Sequence, residues 1–225
     1  MLVKVDEGLW VRAMPHTMMG LHLGARMAVV RLKDGSLLIH SPIALDAELR
    51  AAVDALGPVS HITCPNTYHH VYAKPWAEAY PEATLHGAPT LERKRSDLRF
   101  HRTLSSQPHP DWEGTLIPHY IEGCLLHETV FVHPATRTVV AVDLAENFDT
   151  SDHFATRTYL KMAGIHGRVG WAKPLRVLYR DRRAAARSLE ALLEHDFDRV
   201  IVAHGNVIER NGRALVRQTF EGWIL

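Results

Sequence analysis

The sequence predicts an α/β fold, and three observations support this prediction. Apolar, β-branched segments typical of strands are interspersed with segments of helical periodicity along the chain. Polar residues directly follow two of the predicted strands, at the ends where α/β proteins bind their ligands. No linker rich in Gly, Ser or Pro divides the 225 residues, so we predict one domain over residues 1–225.

A hairpin and a helix begin the pattern. Residues 27–32 and 36–40 have strand character, and Lys33-Asp-Gly35 between them is a typical hairpin turn. Asp46 is suited to cap a helix that ends near Gly57. The apolar residues of this helix recur at helical spacing, at Leu49, Val53 and Leu56.

The remaining elements follow from the same patterns. We predict further strands over residues 59–63, 83–86, 114–121, 127–133, 138–142 and 197–203. Helices are predicted over residues 75–80 and 182–195, with a weaker pattern over 152–170. The charged, proline-containing residues 92–114 are predicted to form a loop that can cover a site, and residues 210–213 a turn.

The charge balance argues against nucleic acid or an anionic membrane as a partner. The chain has 26 basic and 25 acidic side chains, a formal net charge of +1, and no dense basic block. No stretch approaches the roughly 18 apolar residues of a membrane span, and Asp6 and Glu7 interrupt any signal peptide at the start. We therefore expect a cytoplasmic protein that acts on a small-molecule substrate or ligand, in an oligomeric state that the sequence leaves open.

Several segments together resemble the metallo-β-lactamase fold. They are the hairpin over residues 29–40, the helix after it, the strand that ends at Thr63, and His204-Gly205 after the last strand. The chain is similar to a branch that is a domain of unknown function, through Leu32-Lys-Asp-Gly35, Pro65-Asn66 before His69-His70, and Val142-Asp-Leu144. The resemblance implies a four-layer αβ/βα sandwich with a site in the cleft between its two sheets.

The metal-binding motif of that superfamily is largely altered in this chain. Members that bind metal have Thr-His-x-His-x-Asp-His, then a later His, a bridging Asp and a final His. Aligned on Thr63, the first motif falls on Cys64, Asn66, Tyr68 and His69. The later His falls near Cys124, the bridging Asp on Asp143 and the final His on His204. The resemblance therefore implies that His69, Asp143 and His204 keep the ligand types of the family.

Five residues are candidate metal ligands, each with an ordinary alternative. Imidazole, carboxylate and thiolate all bind zinc or iron, so His69, Asp143 and His204 form one candidate set, joined by Cys64 and Cys124. The cysteines are alternatively buried as small hydrophobic residues. The histidines are alternatively hydrogen-bonded structural groups, and Asp143 a cap of the following loop.

A binuclear centre is not expected, because the amide of Asn66 and the phenol of Tyr68 bind divalent cations weakly. The cofactor prediction is one zinc or iron ion, or none.

Two functional hypotheses follow from this set. The first is a hydrolase in which one ion activates water against a small ester, lactone, amide or phosphoester. Asp143 and Tyr68 are its candidate catalytic residues, with Tyr68 donating a hydrogen bond to the oxyanion or leaving group. The second is a non-catalytic or ligand-binding protein that has lost its metal. A thiol enzyme that uses Cys64 is a third possibility, and it requires a lowered thiol pKa.

Overall fold

The computed structural model describes residues 1–225, and its first half forms a seven-stranded sheet with three short helices. The strands of this half are β1 (Val3–Asp6), β2 (Leu9–Met14), β3 (Thr17–Met18), β4 (Leu21–His22), β5 (Ala25–Arg31), β6 (Leu37–His40), β7 (Val59–Cys64), β8 (Thr84–Gly87) and β9 (Arg102–Thr103). The helices are α1 (Ala47–Asp54), α2 (Ala73–Ala79) and α3 (Leu91–Lys94). The sheet order is β1-β2-β5-β6-β7-β8-β9, while β3 and β4 form a separate two-stranded hairpin.

The second half forms a four-stranded sheet with three longer helices. Its strands are β10 (Ile117–Tyr120), β11 (Thr129–His133), β12 (Thr138–Val140), β13 (Glu146–Phe148), β14 (Arg168–Gly170) and β15 (Arg199–Ile201). Its helices are α4 (Phe154–Ala163), α5 (Arg182–Leu193) and α6 (Gly212–Phe220). The sheet order is β10-β11-β12-β15, and β13 pairs with β14 alone. None of the helices is both long enough and apolar enough to cross a membrane.

Three separate cores show that the helices and sheets form four layers. The first core lies between the seven-stranded sheet and α1, α2 and α3, and includes Val29, Leu49, Ile62 and Trp76. The second lies between the two sheets, and includes Ala28, Val30, Leu38, Phe131, Val140 and Ile201. The third lies between the four-stranded sheet and α5 and α6, and includes Val130, Val139, Leu189, Leu192, Val200 and Phe220. Neighbouring residues of one strand enter different cores because side chains alternate across a sheet. The predicted αβ/βα sandwich is therefore confirmed.

The predicted hairpin and first helix form for the expected local reasons. β5 and β6 pair antiparallel, with Val29 opposite Ile39. The Asp46 carboxylate accepts a hydrogen bond from the Leu49 backbone N–H at 2.7 Å, which caps α1. α5 likewise buries the predicted face of Ala185, Leu189, Leu192 and Leu193.

The structure differs from the sequence prediction at several places, including the predicted loop of residues 92–114, which contains most of α3 and all of β9. β1 and β2 extend the first sheet before the predicted hairpin, and residues 168–170 are a strand where the weak pattern predicts the end of a helix. α6 replaces the expected C-terminal turn and tail: Asn211 adopts a left-handed conformation and the helix follows at once. Gly212, Val216, Thr219 and Phe220 are the buried face of α6. Short amphipathic segments of this kind gain their stability from tertiary packing rather than from propensity. The division into a single domain stays a prediction.

Candidate metal centre

Three polar side chains that are remote in sequence converge at one edge of the sandwich. His69 Nε2 lies 3.4 Å from Asp143 Oδ2, and His204 Nε2 lies 3.4 Å from Asp143 Oδ1. The two imidazole rings are 5.3 Å apart between centroids. Each of the three residues offers a ligand atom within 4.8 Å of the other two.

The strand ends carry these side chains to the site. Asp143 follows β12 by three residues and His204 follows β15 by three residues. Because β12 and β15 are adjacent parallel strands, their carboxyl ends reach the same edge of the second sheet. His69 lies in the segment after β7, which belongs to the first sheet. The site is thus built from both sheets.

Asn66 organises the segment that carries His69. Its side chain is fully buried, and its Oδ1 accepts hydrogen bonds from the backbone N–H groups of Tyr68 and His69, both at 2.9 Å. Its Nδ2 donates to Asp143 Oδ2 at 2.7 Å. One amide therefore links the turn around His69 to the carboxylate of the other sheet.

A second ring of contacts orients the imidazoles. His204 Nδ1 lies 2.9 Å from the carbonyl oxygen of Gly24, and a carbonyl can only accept. The Nδ1 of His204 is therefore protonated, and in the neutral ring Nε2 presents its lone pair towards Asp143. His69 Nδ1 lies 2.9 Å from the Ser41 hydroxyl. Ser41 follows β6 in a left-handed conformation with φ of 56°, which is uncommon for a residue with a side chain.

Arg26 holds the backbone on both sides of His204. This guanidinium donates to the carbonyl of Val202 and, at 2.6 Å, to that of Gly205. Arg26 lies on β5 of the first sheet, so these bonds cross the cleft and tie the two sheets together at the site.

A buried glutamate anchors the segment that carries Asp143. Glu128 accepts from the backbone N–H groups of Val142 at 2.8 Å and Asp143 at 3.1 Å. Burial, together with the nearby charge of Asp143, raises the pKa of Glu128 to about 8. Glu146, three residues after Asp143, accepts from the Ala172 N–H at 3.2 Å, and burial raises its pKa to about 7.

The surroundings of the cluster favour the charged forms of Asp143 and His204. Burial alone would raise the pKa of Asp143, but the charges and close approach of His69 and His204 outweigh it and hold that pKa well below the usual range. Burial alone would lower the pKa of His204, but the Asp143 carboxylate outweighs it and raises that pKa. Asp143 is therefore a carboxylate at neutral pH, which is the form that binds a cation.

The arrangement fits one metal ion. Ligand atoms 2.0–2.2 Å from a tetrahedral ion lie about 3.3–3.6 Å from one another. Each imidazole lies at this spacing from one oxygen of Asp143, His69 from Oδ2 and His204 from Oδ1. His69, Asp143 and His204 are 10–15% exposed, so the ligand atoms are partly open to solvent. The residues present can thus supply three ligands and leave a further position free.

The structure does not bring the two predicted cysteine ligands to this cluster. Cys64 alternates with Thr63 on β7 and joins Ile62 in the core beneath the helices, on the face of the sheet away from the cleft. Cys124 is buried in the core against α5 and α6. Burial raises the thiol pKa of both Cys64 and Cys124 to about 12. Both therefore take the alternative form of buried, protonated thiols.

Tyr68 lies beside the cluster in sequence but points partly to solvent. It is 51% exposed, Lys94 Nζ lies 5.2 Å from its ring centroid, and its hydroxyl has no hydrogen-bond partner. The adjacent His70 turns away from the site, with Nδ1 3.1 Å from the Arg95 guanidinium.

Four supporting residues of the site were missed by the sequence analysis. They are Gly24, Arg26, Ser41 and Glu128, and each contacts the site across a large sequence separation. Only Glu128 offered a signal in the sequence, as a charged residue directly before the apolar residues of β11.

Comparison with known proteins supports the fold and leaves the activity open. Residues 7–91 match the family model described as a domain of unknown function (DUF4336). No curated protein matches the sequence. Solved structures match over nearly the whole chain at low identity, which establishes the fold alone.

Three of these structures illustrate the similarity. DIM-1 metallo-β-lactamase exposed to ceftazidime superposes with a TM-score of 0.68 at 15% identity, over 97% of this chain and 94% of that one. A metallo-β-lactamase from Pontibacter korlensis gives 0.67 at 12% identity, over 97% and 96%. The mono-zinc form of FIM-1 from Pseudomonas aeruginosa gives 0.60 at 13% identity, over 97% and 93%. The chain therefore has the metallo-β-lactamase fold, and its first part resembles a domain of unknown function within it.

Proposed function

We propose that this protein is a hydrolase that uses a single zinc or iron ion. The observation that carries the proposal is the convergence of His69, Asp143 and His204 between the two sheets. Two imidazoles and one carboxylate are a ligand set found in catalytic zinc sites, which keep one position for water or substrate. The substrates proposed are small esters, lactones, amides or phosphoesters.

One ion is favoured over two because the remaining family positions are engaged elsewhere. The Asn66 oxygen accepts from two backbone N–H groups, and its nitrogen donates to Asp143. Cys64 faces the opposite side of the sheet. Among the structures with this fold, FIM-1 is described in a mono-zinc form, so one ion is compatible with the architecture.

The residues of this chain would bind the ion, orient the substrate and limit water at the site. A bound ion supplies a water of lowered pKa and charge stabilisation for the developing oxyanion. Asp143 is held as a carboxylate, and the Gly24 carbonyl keeps the Nε2 lone pair of His204 directed into the site. The free hydroxyl of Tyr68 is available to donate to an oxyanion or leaving group of a bound substrate.

A specific observation also favours a non-catalytic binding protein. The Asp143 carboxylate already has polar neighbours within the chain: Asn66 Nδ2 donates to it at 2.7 Å, and the Nε2 atoms of His69 and His204 each lie 3.4 Å from one of its oxygens. In the protonated form that its raised pKa favours, His204 would donate to this carboxylate and no ion would be needed at the site.

Metal content and hydrolysis, measured together, distinguish the two functions. Protein purified without chelator is analysed for metals by mass spectrometry and assayed with p-nitrophenyl acetate, a γ-lactone and bis-p-nitrophenyl phosphate. The hydrolase proposal predicts about one ion per chain that is bound through His69, Asp143 and His204, in addition to any ion bound elsewhere, and metal-dependent turnover of at least one substrate. His69→Ala and His204→Ala should each lose the ion and reduce kcat/KM at least 100-fold.

His166→Ala is the matched control, because His166 is partly exposed on another part of the chain. It should keep the ion and the activity. A wild-type protein that binds no zinc or iron, even on addition, would refute the hydrolase proposal and support the binding protein.

A further inference from the structure

A second cluster of metal-ligating side chains lies away from the first. His61 is on β7, on the face directed between the sheets, while His109 directly precedes the short 3₁₀ turn Pro110–Trp112 and Asp111 is its middle residue. His61 precedes His69 by eight residues and lies in the amino half of the strand, whereas the candidate metal centre is beyond its carboxyl end. The two clusters share no residue.

The three side chains have the spacing of a cation site. His61 Nε2 lies 3.1 Å from Asp111 Oδ2, and His109 Nδ1 lies 3.5 Å from the same oxygen. Each residue offers a ligand atom within 4.8 Å of the others. The 3.5 Å contact lies within the roughly 3.3–3.6 Å between neighbouring ligands of a tetrahedral ion, and the 3.1 Å contact, a hydrogen bond in the absence of an ion, is slightly shorter.

His86 on β8 contacts the ring nitrogen of His61 that does not face Asp111. Its Nε2 lies 3.0 Å from His61 Nδ1, and both rings are 1% exposed. When His61 Nε2 carries a cation, the ring proton must sit on Nδ1, and His86 Nε2 can accept it as a hydrogen bond.

The cluster is accessible from solvent. The Asp111 side chain is 52% exposed while His61 is buried, so a cation can approach from the carboxylate side. A cavity of about 260 Å³ adjoins the cluster and is lined in part by His86, His109 and Trp112.

We propose that His61, His109 and Asp111 form a second divalent-cation site suited to zinc, with His86 as a positioning residue. The bound cation would tie the segment that contains His109 to β7. This inference does not depend on the proposed hydrolase activity.

Zinc and cobalt binding to a chain without the first site tests the proposal. In the His69→Ala/His204→Ala double variant we expect about one equivalent of Zn²⁺, a higher thermal midpoint with Zn²⁺, and visible Co²⁺ bands of a tetrahedral site. Adding His109→Ala or Asp111→Asn should weaken Zn²⁺ binding at least tenfold, and Asp111→Asn, at a side chain that is 52% exposed, does so without loss of packing. His101→Gln, at an exposed histidine outside the cluster, should leave binding unchanged.

His86 is tested by two substitutions. His86→Leu should reduce Zn²⁺ affinity about 10- to 100-fold and alter the Co²⁺ spectrum, while His86→Gln, which can still accept the hydrogen bond, should retain most of the affinity.

If the double variant binds no Zn²⁺, or binds it equally well after His109→Ala and Asp111→Asn, the second site does not exist. Should the double variant not fold, the same substitutions in the otherwise native chain must lower the zinc content at saturating Zn²⁺ by one equivalent. An unchanged content would overturn the proposal.

Discussion

The family resemblance implies a metal-ligand position for Asn66, but in the structure this residue forms hydrogen bonds within the chain. Its amide satisfies two backbone N–H groups of the segment with His69 and donates to Asp143. A neutral amide can form both kinds of hydrogen bond at once, which an ionised carboxylate cannot. The residue therefore links the two halves of the cluster rather than holding an ion.

Asn66→Ala should destabilise the protein and loosen the first site. The change leaves buried polar groups without partners, each at a cost of about 1–3 kcal/mol, so we expect a loss of about 2–5 kcal/mol in the free energy of unfolding. Zinc affinity should fall about 10- to 100-fold, as for other residues that position ligands. Urea unfolding and zinc titration measure both effects.

Thr67→Ala is the control for Asn66→Ala, since the Thr67 side chain makes no hydrogen bond and is only partly buried. Thr67→Ala should change neither the free energy of unfolding nor the zinc affinity appreciably. Equal effects of the two substitutions would show that Asn66 does not organise the segment.

Cys64 shows how the alternation of side chains along a strand determines the surroundings of a residue. Cys64 is next to Thr63 on β7, but successive side chains of a strand point to opposite faces. Cys64 therefore enters the helix-side core with Ile62, and its raised pKa removes it as a nucleophile at neutral pH.

At the scale of elements, the connection after β15 depends on a close backbone approach. Gly205 has φ of +78°, and a Cβ there would lie 2.0 Å from the carbonyl oxygen of Asn147. Gly205 also forms an isolated parallel bridge with Asn147 of β13. This approach brings the His204 backbone against the segment that follows Asp143.

Gly205→Ala should therefore disturb the site as well as the fold. A side chain in the left-handed region costs about 1 kcal/mol, and the contact with Asn147 forces the backbone apart, so we expect a loss of more than about 2 kcal/mol. Metal binding at the first site should weaken because His204 is displaced. Thermal unfolding and zinc titration are the measurements.

Gly222→Ala provides the matched control. Gly222 has φ of +75°, but a Cβ at this position would meet nothing within 4 Å, so only the conformational cost applies. Similar losses for both variants would contradict the role given to the close approach at Gly205.

For the whole molecule, buried neutral histidines link stability to pH. Burial lowers the pKa of His40 to about 3 and that of His119 to about 4. An unfolded chain protonates these rings near pH 6.5. Unfolding therefore takes up protons at acidic pH, and this contribution to stability falls as the pH drops below about 6.5 towards the native pKa values.

His40→Leu tests this linkage at a single ring. His40 is 1% exposed, and its protonation in the unfolded chain alone should lower the stability of the wild type by about 2 kcal/mol between pH 7.5 and pH 5. In His40→Leu this part of the decrease should disappear. Urea unfolding with EDTA at the two pH values measures it, with the exposed His22→Leu as control. An equal pH dependence in wild type and His40→Leu would contradict the prediction.

Local patterns were sufficient to predict most strands and helices, the cap at Asp46 and the buried face of α5. These features depend on residues that are close in the chain, so alternation and helical spacing reveal them directly. β1, β2 and α6 were missed because their amphipathic patterns are short and they are stabilised mainly by packing on other elements.

The residue types at strand ends, together with a family resemblance, also predicted that His69, Asp143 and His204 are metal ligands. Their meeting at one point depends on how the two sheets pack, and so does the separation of Cys64 and Cys124 from them. Two further sets of contacts join segments that are far apart in the chain. The first set holds the candidate metal centre in place and involves Gly24, Ser41 and Glu128. The second is the cluster of His61, His109 and Asp111. Such contacts leave no periodic trace in a sequence, because their geometry arises only when distant elements are packed together.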